Sequence, residues 1–489
     1  MESNGKRDSM DAATDVASKL EETHLHSSSQ ASTPSKKHPP NLTTLPASVR
    51  NKIYAHLLDT ELVNIDQPNV SYTHTIKDST LHFAASRPPF PVHTALFYTN
   101  KQLSKEARNY FYSTNLFVKF EVYSADARHA KTMLEDSGVL FSVARPGSVE
   151  GCTMHAMELK IVEKDSAVKR ASVLFPAQYL PRLVNFMEQA CKASGSWAPN
   201  HSLILSVVNV YKLEKARVQG DLLELFRLLS NVGRVEVKGK DLLAGYAEAL
   251  QRSMMAAAFE ADTWLKAVTE MTDRAEQALD KKDYDSAAQQ CQAATISLTY
   301  AYLTRAETLH SQAEGFNKEI QRLRWRTELA LATALHSRHA AAISSTSRLV
   351  SASTPTAAQK QIAIDLLAAE TAASHALSLS TDSPSPASNP WFRSLPPELI
   401  PPNKSEWFTD NERGRSWYVL GLTHLAVGEC LFAAGDLERA VGLLGEQGDQ
   451  KGIEEVEQAF ARARQEIDWD VRPGVGLRKA ACIARREIE

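Results

Sequence analysis

Cysteine is scarce in this chain of 489 residues. The five present, Cys152, Cys191, Cys291, Cys430 and Cys482, lie far apart, and none forms a C-x-x-C pair. That spacing excludes a disulfide framework and predicts free thiols in a reducing compartment. Long apolar runs are also missing. Stretches such as Met254 to Phe259, or Leu425 to Ala434 with Glu429 inside it, fall short of the roughly 18 to 20 apolar residues that span a bilayer. Met1 to Leu20 is polar and has no apolar run, so no secretory signal is expected. Neither charge dominates: 55 Lys and Arg stand against 58 Asp and Glu. The balance argues against a chain-wide basic surface for nucleic acid and against an acidic solvating protein. The expected setting is intracellular, cytoplasmic or nuclear, with neither nucleic acid nor membrane as a partner.

Motifs that carry chemistry are absent as well. There is no G-x-x-x-x-G-K-[ST] phosphate loop, no G-x-G-x-x-G fingerprint, no G-x-S-x-G elbow and no H-E-x-x-H. His336 and His339 stand three apart but lack an acidic or cysteine ligand at a useful spacing, so no metal is expected. Cys152 lies near His155, yet nothing local orients a base for a thiol nucleophile. Arg322, Arg324 and Arg326 flank Trp325. That grouping would suit a stacked nucleic acid, or a solvated helix face with the indole turned inward. Arg478, Lys479, Arg485 and Arg486 make a basic tail offset by Glu487 and Glu489. No catalytic residue, cofactor or metal is predicted.

What is present divides the chain. Residues 1 to 40 hold eight serines, no aromatic residue and five large apolar side chains. Such a segment cannot bury enough surface to offset the entropy of ordering, so a disordered tail is expected over 1–41. Thr33-Pro34 within it is a weak proline-directed phosphosite. Leu45, Val49, Ile53 and Leu57 then recur every four residues. They predict an amphipathic helix with Pro46 in its first turn. Glu61 to His93 reads as short strands and loops. A second helix follows, with Asn100 as N-cap and Leu96, Leu103, Ala107, Tyr110 and Phe111 on one face. Phe117 to Val122 alternates like a half-buried strand. Strand patterns return at Glu158 to Glu163, Ser202 to Tyr211 and Arg234 to Lys238, with helical patterns at Pro181 to Ala193 and Asp221 to Leu229. Residues 42–240 therefore read as one α+β domain.

Beyond Gly239 the breakers vanish. Residues 241–380 carry 32 alanines, two glycines and one proline, which predicts nearly continuous helix folded into hairpins. Residues 381–402 then hold seven of the 21 prolines, and a Pro/Ser-rich linker is expected over 381–409. A last helical region, 410–489, ends in a short basic helix.

Two blocks carry a family resemblance. Leu42-Thr-Thr-Leu-Pro-Ala-Ser-Val-Arg-Asn-Lys-Ile-Tyr-Ala-His-Leu-Leu58 resembles the opening of the F-box. More specifically, it resembles the divergent F-box-like domain of filamentous fungi. Thr99-Asn-Lys-Gln-Leu-Ser-Lys-Glu-Ala-Arg-Asn-Tyr-Phe-Tyr112 is similar to the second helical block of the same group, and Leu222 to Val237 to its end. In the F-box family the first helices dock on an Skp1-type adaptor of a cullin ubiquitin ligase. Carried over, the adaptor-binding positions are Leu45, Pro46, Ile53, Leu57 and Leu58, an apolar stripe laid in a partner's groove. Two departures stand: a long separation between the blocks, and no evident tryptophan-bearing third helix. A weaker resemblance links Lys281-Lys-Asp-Tyr-Asp-Ser-Ala-Ala288 and Gly435-Asp-Leu-Glu-Arg-Ala-Val441 to the turns of tetratricopeptide repeats, with Gly435 at the turn.

The resulting expectation is an F-box-like α+β domain joined to a tetratricopeptide-like helical region. Its function would be substrate recognition for an Skp1-cullin ligase, with an unknown protein target held by the helices. The alternative is a scaffold or regulatory protein outside any ligase, in which Leu45, Ile53 and Leu57 pack on the domain's own sheet. A third reading is an enzyme with an unrecognised site.

Overall fold

The computed structural model describes residues 41–143, 148–345, 356–381, 404–444 and 450–485. The expected tail with Thr33-Pro34, most of the expected linker, and Arg486, Glu487 and Glu489 lie outside them. The residues through Leu45 form a unit of their own, and the second unit starts at Pro46. In that second unit α1 (Ala47–Leu58) is followed by a hairpin of β1 (Tyr72–Lys77) and β2 (Thr80–Ala85). Then come α2 (Lys101–Asn115), β3 (Phe117–Tyr123), α3 (Ala127–Glu135), β4 (Met157–Glu163) and β5 (Lys169–Pro176). The α+β half ends with α4 (Leu180–Ala193), β6 (His201–Val207), α5 (Lys215–Leu222) and β7 (Arg234–Lys238).

Five strands join in one sheet, in the order β5-β3-β4-β6-β7. β3 runs parallel to β4, and β6 parallel to β7; the other two pairings are antiparallel. One face is apolar. Val118, Phe120, Val122, Leu159, Ile161, Leu203 and Leu205 lie there in a core shared with Met133 of α3 and Leu183 of α4. β3 was expected to be half-buried. Instead its first six residues are all buried: the polar Lys119 and Glu121 are flanked by Glu158 and Lys160 of β4 and Lys169 of β5. Three elements escaped the sequence reading: β5, α3 and α5, whose helix lies at Lys215–Leu222, ahead of the expected Asp221 to Leu229, where only a short 3-10 turn, Glu224–Leu228, follows. β5 alternates inward Ala171, Val173 and Phe175 with outward residues, but Leu174 on the outer side blurs the pattern. α3 buries only Ala130, Met133 and Leu134, too short a stripe to stand out.

The alanine-rich stretch is helical as expected. It supplies α6 (Tyr246–Met255), α7 (Ala261–Asp280), α8 (Tyr284–Thr304), α9 (Glu314–Arg338) and α10 (Ala357–Ser380). The later helices are α11 (Asp410–Ala426), α12 (Cys430–Leu444), α13 (Gln450–Gln465) and α14 (Val475–Arg485). From α8 to α13 each helix packs on the one before it. α9 also touches α7, α11 touches α9 and α13 touches α11. The helical half is thus a row of helices packed in chain order, with short turns closing α7 on α8 and α11 on α12. α10 is long and apolar enough to cross a membrane by length and composition, yet most of it is buried inside the protein.

Three expectations change. The spacer stops before residue 409: Trp407 and Phe408 are buried at 5% and 1% exposure, beside Trp325 of α9. The turn between α11 and α12 falls at Gly428, whose φ is +83°, and Gly435 lies inside α12. Only a residue free to adopt positive φ closes that turn without strain. Third, side chains pack across residue 240. Gln219 Oε1 accepts from Leu243 N at 2.6 Å, and Tyr246 donates to Glu224 at 2.6 Å. Leu222 and Phe226 share one core with Leu250, Leu298 and Leu323.

Candidate functional site

α1 is the first candidate. Pro46 stands at the N-cap with φ −55° and ψ 146°, one residue before the first turn expected to hold it. The residues that face inward are Arg50, Tyr54 and Leu58. The sequence stripe of Val49, Ile53 and Leu57 is rotated off that side by one residue, about 100°. The cause is a charge pair. Arg50 donates to Glu106 of α2 through Nε at 2.8 Å and Nη2 at 2.9 Å, and the Tyr54 hydroxyl adds a bond at 3.1 Å. Burial of the tyrosine, reinforced by Glu106, pushes its pKa up to about 12.

Asn115 closes the other end of the pair. Its Oδ1 accepts from Thr60 N (3.0 Å) and Thr60 Oγ1 (2.6 Å). Its Nδ2 donates to Leu58 O (3.1 Å) and Phe111 O (2.7 Å). The two resemblance blocks are therefore locked to each other by Arg50–Glu106 and by Asn115. Asn100 caps α2 as expected, accepting from Leu103 N at 2.9 Å.

The five carried-over positions separate. Leu58 is fully buried, so it anchors α1 and offers nothing to a partner. Leu45 lies in the unit that ends with it. Pro46 is exposed, and Ile53 and Leu57 are half-buried. Val49, which the adaptor set omitted, is 39% exposed, and Ile65 beyond the helix is 58% exposed.

The other sequence candidates resolve into internal pairings. Trp325 is buried and donates to Ser416 Oγ at 2.8 Å. Arg322 pairs with Glu412, Arg324 with Glu328, and Arg326 with Asp273 and Glu276. His155 Nδ1 contacts the Cys152 carbonyl at 2.9 Å, and its Nε2 lies 3.3 Å from Glu158, so the ring does not serve the thiol. His339 Nε2 is 2.7 Å from Asp365, which Arg338 also holds. Burial drives the neighbouring His336 down to about 4. Among the described residues no group of three metal-ligating side chains occurs.

Two features had no motif to announce them. On β3, Lys119 and Glu121 are buried. Glu121 meets Lys169 at 2.8 Å and Lys160 at 3.3 Å, while Lys119 meets Glu158 at 3.4 Å. Burial alone would raise the Glu121 pKa; the lysines more than offset it and hold it low. The alternating Lys and Glu of β3 and β4 were visible in the sequence, but the cross-strand register that pairs them was not.

The second feature is a cavity of about 200 Å³ where the turn after α5 meets α6 and α7. Arg227 and Trp264 line it. Arg227 donates from Nε to Glu224 at 2.8 Å, while its Nη2 is buried with no partner. Trp264 Nε1 is likewise buried and unpartnered. An unmet buried donor costs about 1–3 kcal/mol.

Comparison of this chain with protein-family models, curated proteins and solved structures finds no match.

Proposed function

We propose that this chain is a protein-interaction subunit whose α1 docks in the apolar groove of an Skp1-type adaptor, while the helical hairpins hold the protein destined for modification. One observation carries the reading. α1 is anchored through Arg50, Tyr54 and Leu58, which leaves Val49, Ile53 and Leu57 only partly covered. A helix whose apolar stripe is internal core would bury that stripe and turn its polar side to water. Here the polar residue Arg50 goes inward, while Val49 is exposed and Ile53 and Leu57 stay half-buried. The row of helices supports a tetratricopeptide-like reading of the second half. Its first turn, Lys281–Asp283, joins α7 to α8, and Asp283 caps α8 by accepting from Ser286 N at 3.1 Å.

Co-purification of an Skp1-type adaptor with the full chain tests the proposal. Wild type retains the adaptor. The Val49→Arg variant, and separately Ile53→Asp with Leu57→Asp, weaken binding at least tenfold, or about 1.4 kcal/mol, with unchanged circular dichroism. Failure of wild type to retain the adaptor overturns the ligase reading. Retention by both variants does so as well. Aggregation of the Val49→Arg protein would show the stripe to be core and favour the scaffold reading.

A further inference from the structure

We propose that α14 is a detachable strap over a helix-binding site, and that the same site takes a helix of a partner protein built on the α14 pattern. This does not rest on the adaptor reading, which concerns α1. From α8 to α13 the helices pack in chain order, but α14 leaves the row: its main helix contact is α10, not the preceding α13. Six successive residues of the connection, Asp468 to Pro473, are exposed, Trp469 at 81%. A tether with so little packing lets the helix leave while the row stays folded. α14 also belongs to a small core of its own. Ala480 and Ile483 meet Ala363 and Leu366 of α10, with Ala426 and Val427 at the end of α11, in a cluster apart from the larger core of α9 to α13.

The seat of α14 is selective. Its buried residues are Gly476, Ala480 and Ile483, at i, i+4 and i+7, the spacing of a helix laid in a groove. The basic residues Arg478, Lys479 and Arg485 are exposed. Glu429, just before α12, is 5% exposed. Its Oε2 accepts from Gly474 N at 2.8 Å and its Oε1 from Leu477 N at 3.0 Å. These are amides that the helix cannot satisfy from within. A Cβ at Gly476 would lie 2.4 Å from Val427 O, so only glycine seats the first turn. Release of α14 uncovers the apolar patch and the carboxylate together. The helix that replaces it carries free N-terminal amides, a glycine in its first turn, and small and aliphatic residues four and seven positions on.

Hydrogen exchange on the full chain tests release. The amides of α14 exchange through an opening that leaves α10 and α11 protected. Exchange of all three helices in a single global step overturns the proposal. Binding in trans is tested with a fluorescent peptide of residues 472–489. In the full chain, Gly476→Leu lifts α14 from its seat. That variant binds the peptide at least tenfold more tightly than wild type does, because the tethered α14 of wild type competes at high effective concentration. A peptide carrying Gly476→Leu binds the same variant at least tenfold more weakly. No saturable binding to the variant, equal binding to wild type, or equal binding of the two peptides overturns the proposal. So does loss of the fold in the Gly476→Leu chain, followed by circular dichroism, because a strap leaves the row intact when it opens.

Discussion

His424 shows how much one buried side chain can decide. It is 8% exposed, 2.6 Å from Asp436 of α12 and 3.8 Å from Glu370 of α10. Burial pulls its pKa down, but the two carboxylates outweigh burial and push it up to about 9. The folded state thus holds the proton more tightly than an unfolded chain, whose histidine titrates near 6.5. The resulting stabilisation is complete below about pH 6.5 and is lost as pH rises through 9. Urea unfolding across that window should show wild type losing on the order of 2–3 kcal/mol more than a His424→Gln variant. Equal slopes for the two proteins would remove the charge from the account. His336 acts at the other end. Held neutral to about 4 by burial, it makes the fold less stable as pH falls from about 6.5 toward 4.

At the scale of elements, α11 and α12 are set by glycine. Gly414, Gly421, Gly428, Gly435 and Gly442 recur every seven residues, yet they do three different things. A Cβ at Gly414 would lie 2.7 Å from Leu444 Cγ, and one at Gly421 would lie 2.7 Å from Leu437 Cγ, so these two permit close packing of the hairpin. Gly428 makes the turn at φ +83°. Gly435 and Gly442 sit inside α12 with no backbone close to an added Cβ. Alanine should therefore stabilise the protein by about 0.5–1 kcal/mol at Gly435. At Gly428 the same change destabilises by about 1 kcal/mol or more. Thermal melts of the two variants should move in opposite directions. If Gly428→Ala melts no lower than wild type, the turn is not where the structure places it.

The whole molecule has no seam at residue 240. A Cβ at Gly220 of α5 would sit 3.2 Å from Ile296 of α8. Phe226 and Leu222 complete their burial against α6 and α8. A fragment ending at residue 240 exposes that surface and leaves Glu224 and Gln219 without Tyr246 and Leu243. It should aggregate or melt without a cooperative transition, whereas the full chain melts sharply. Calorimetry and gel filtration check this. A soluble, monomeric fragment with a sharp transition would show that the two halves fold separately.

The sequence by itself determined the local half of this protein. The alanine count and missing breakers set the helices, Asn100 the cap of α2, and β-branched alternation most of the strands, because each rests on neighbours along the chain. It also marked the blocks at residues 42–58 and 99–112 as a pair. Only tertiary structure decided what the blocks do to each other. Periodicity grouped Val49, Ile53 and Leu57 on one stripe; Glu106, distant in sequence, drew Arg50 inward and left that stripe only partly covered. The same holds for β3, where Lys119 and Glu121 are buried among charges that neighbouring strands bring to them. It holds too for Gly435, where the positive φ required by the turn fell to Gly428. Periodicity records which residues share a side of a helix or strand. Which side is buried depends on partners that the chain brings together only when it folds.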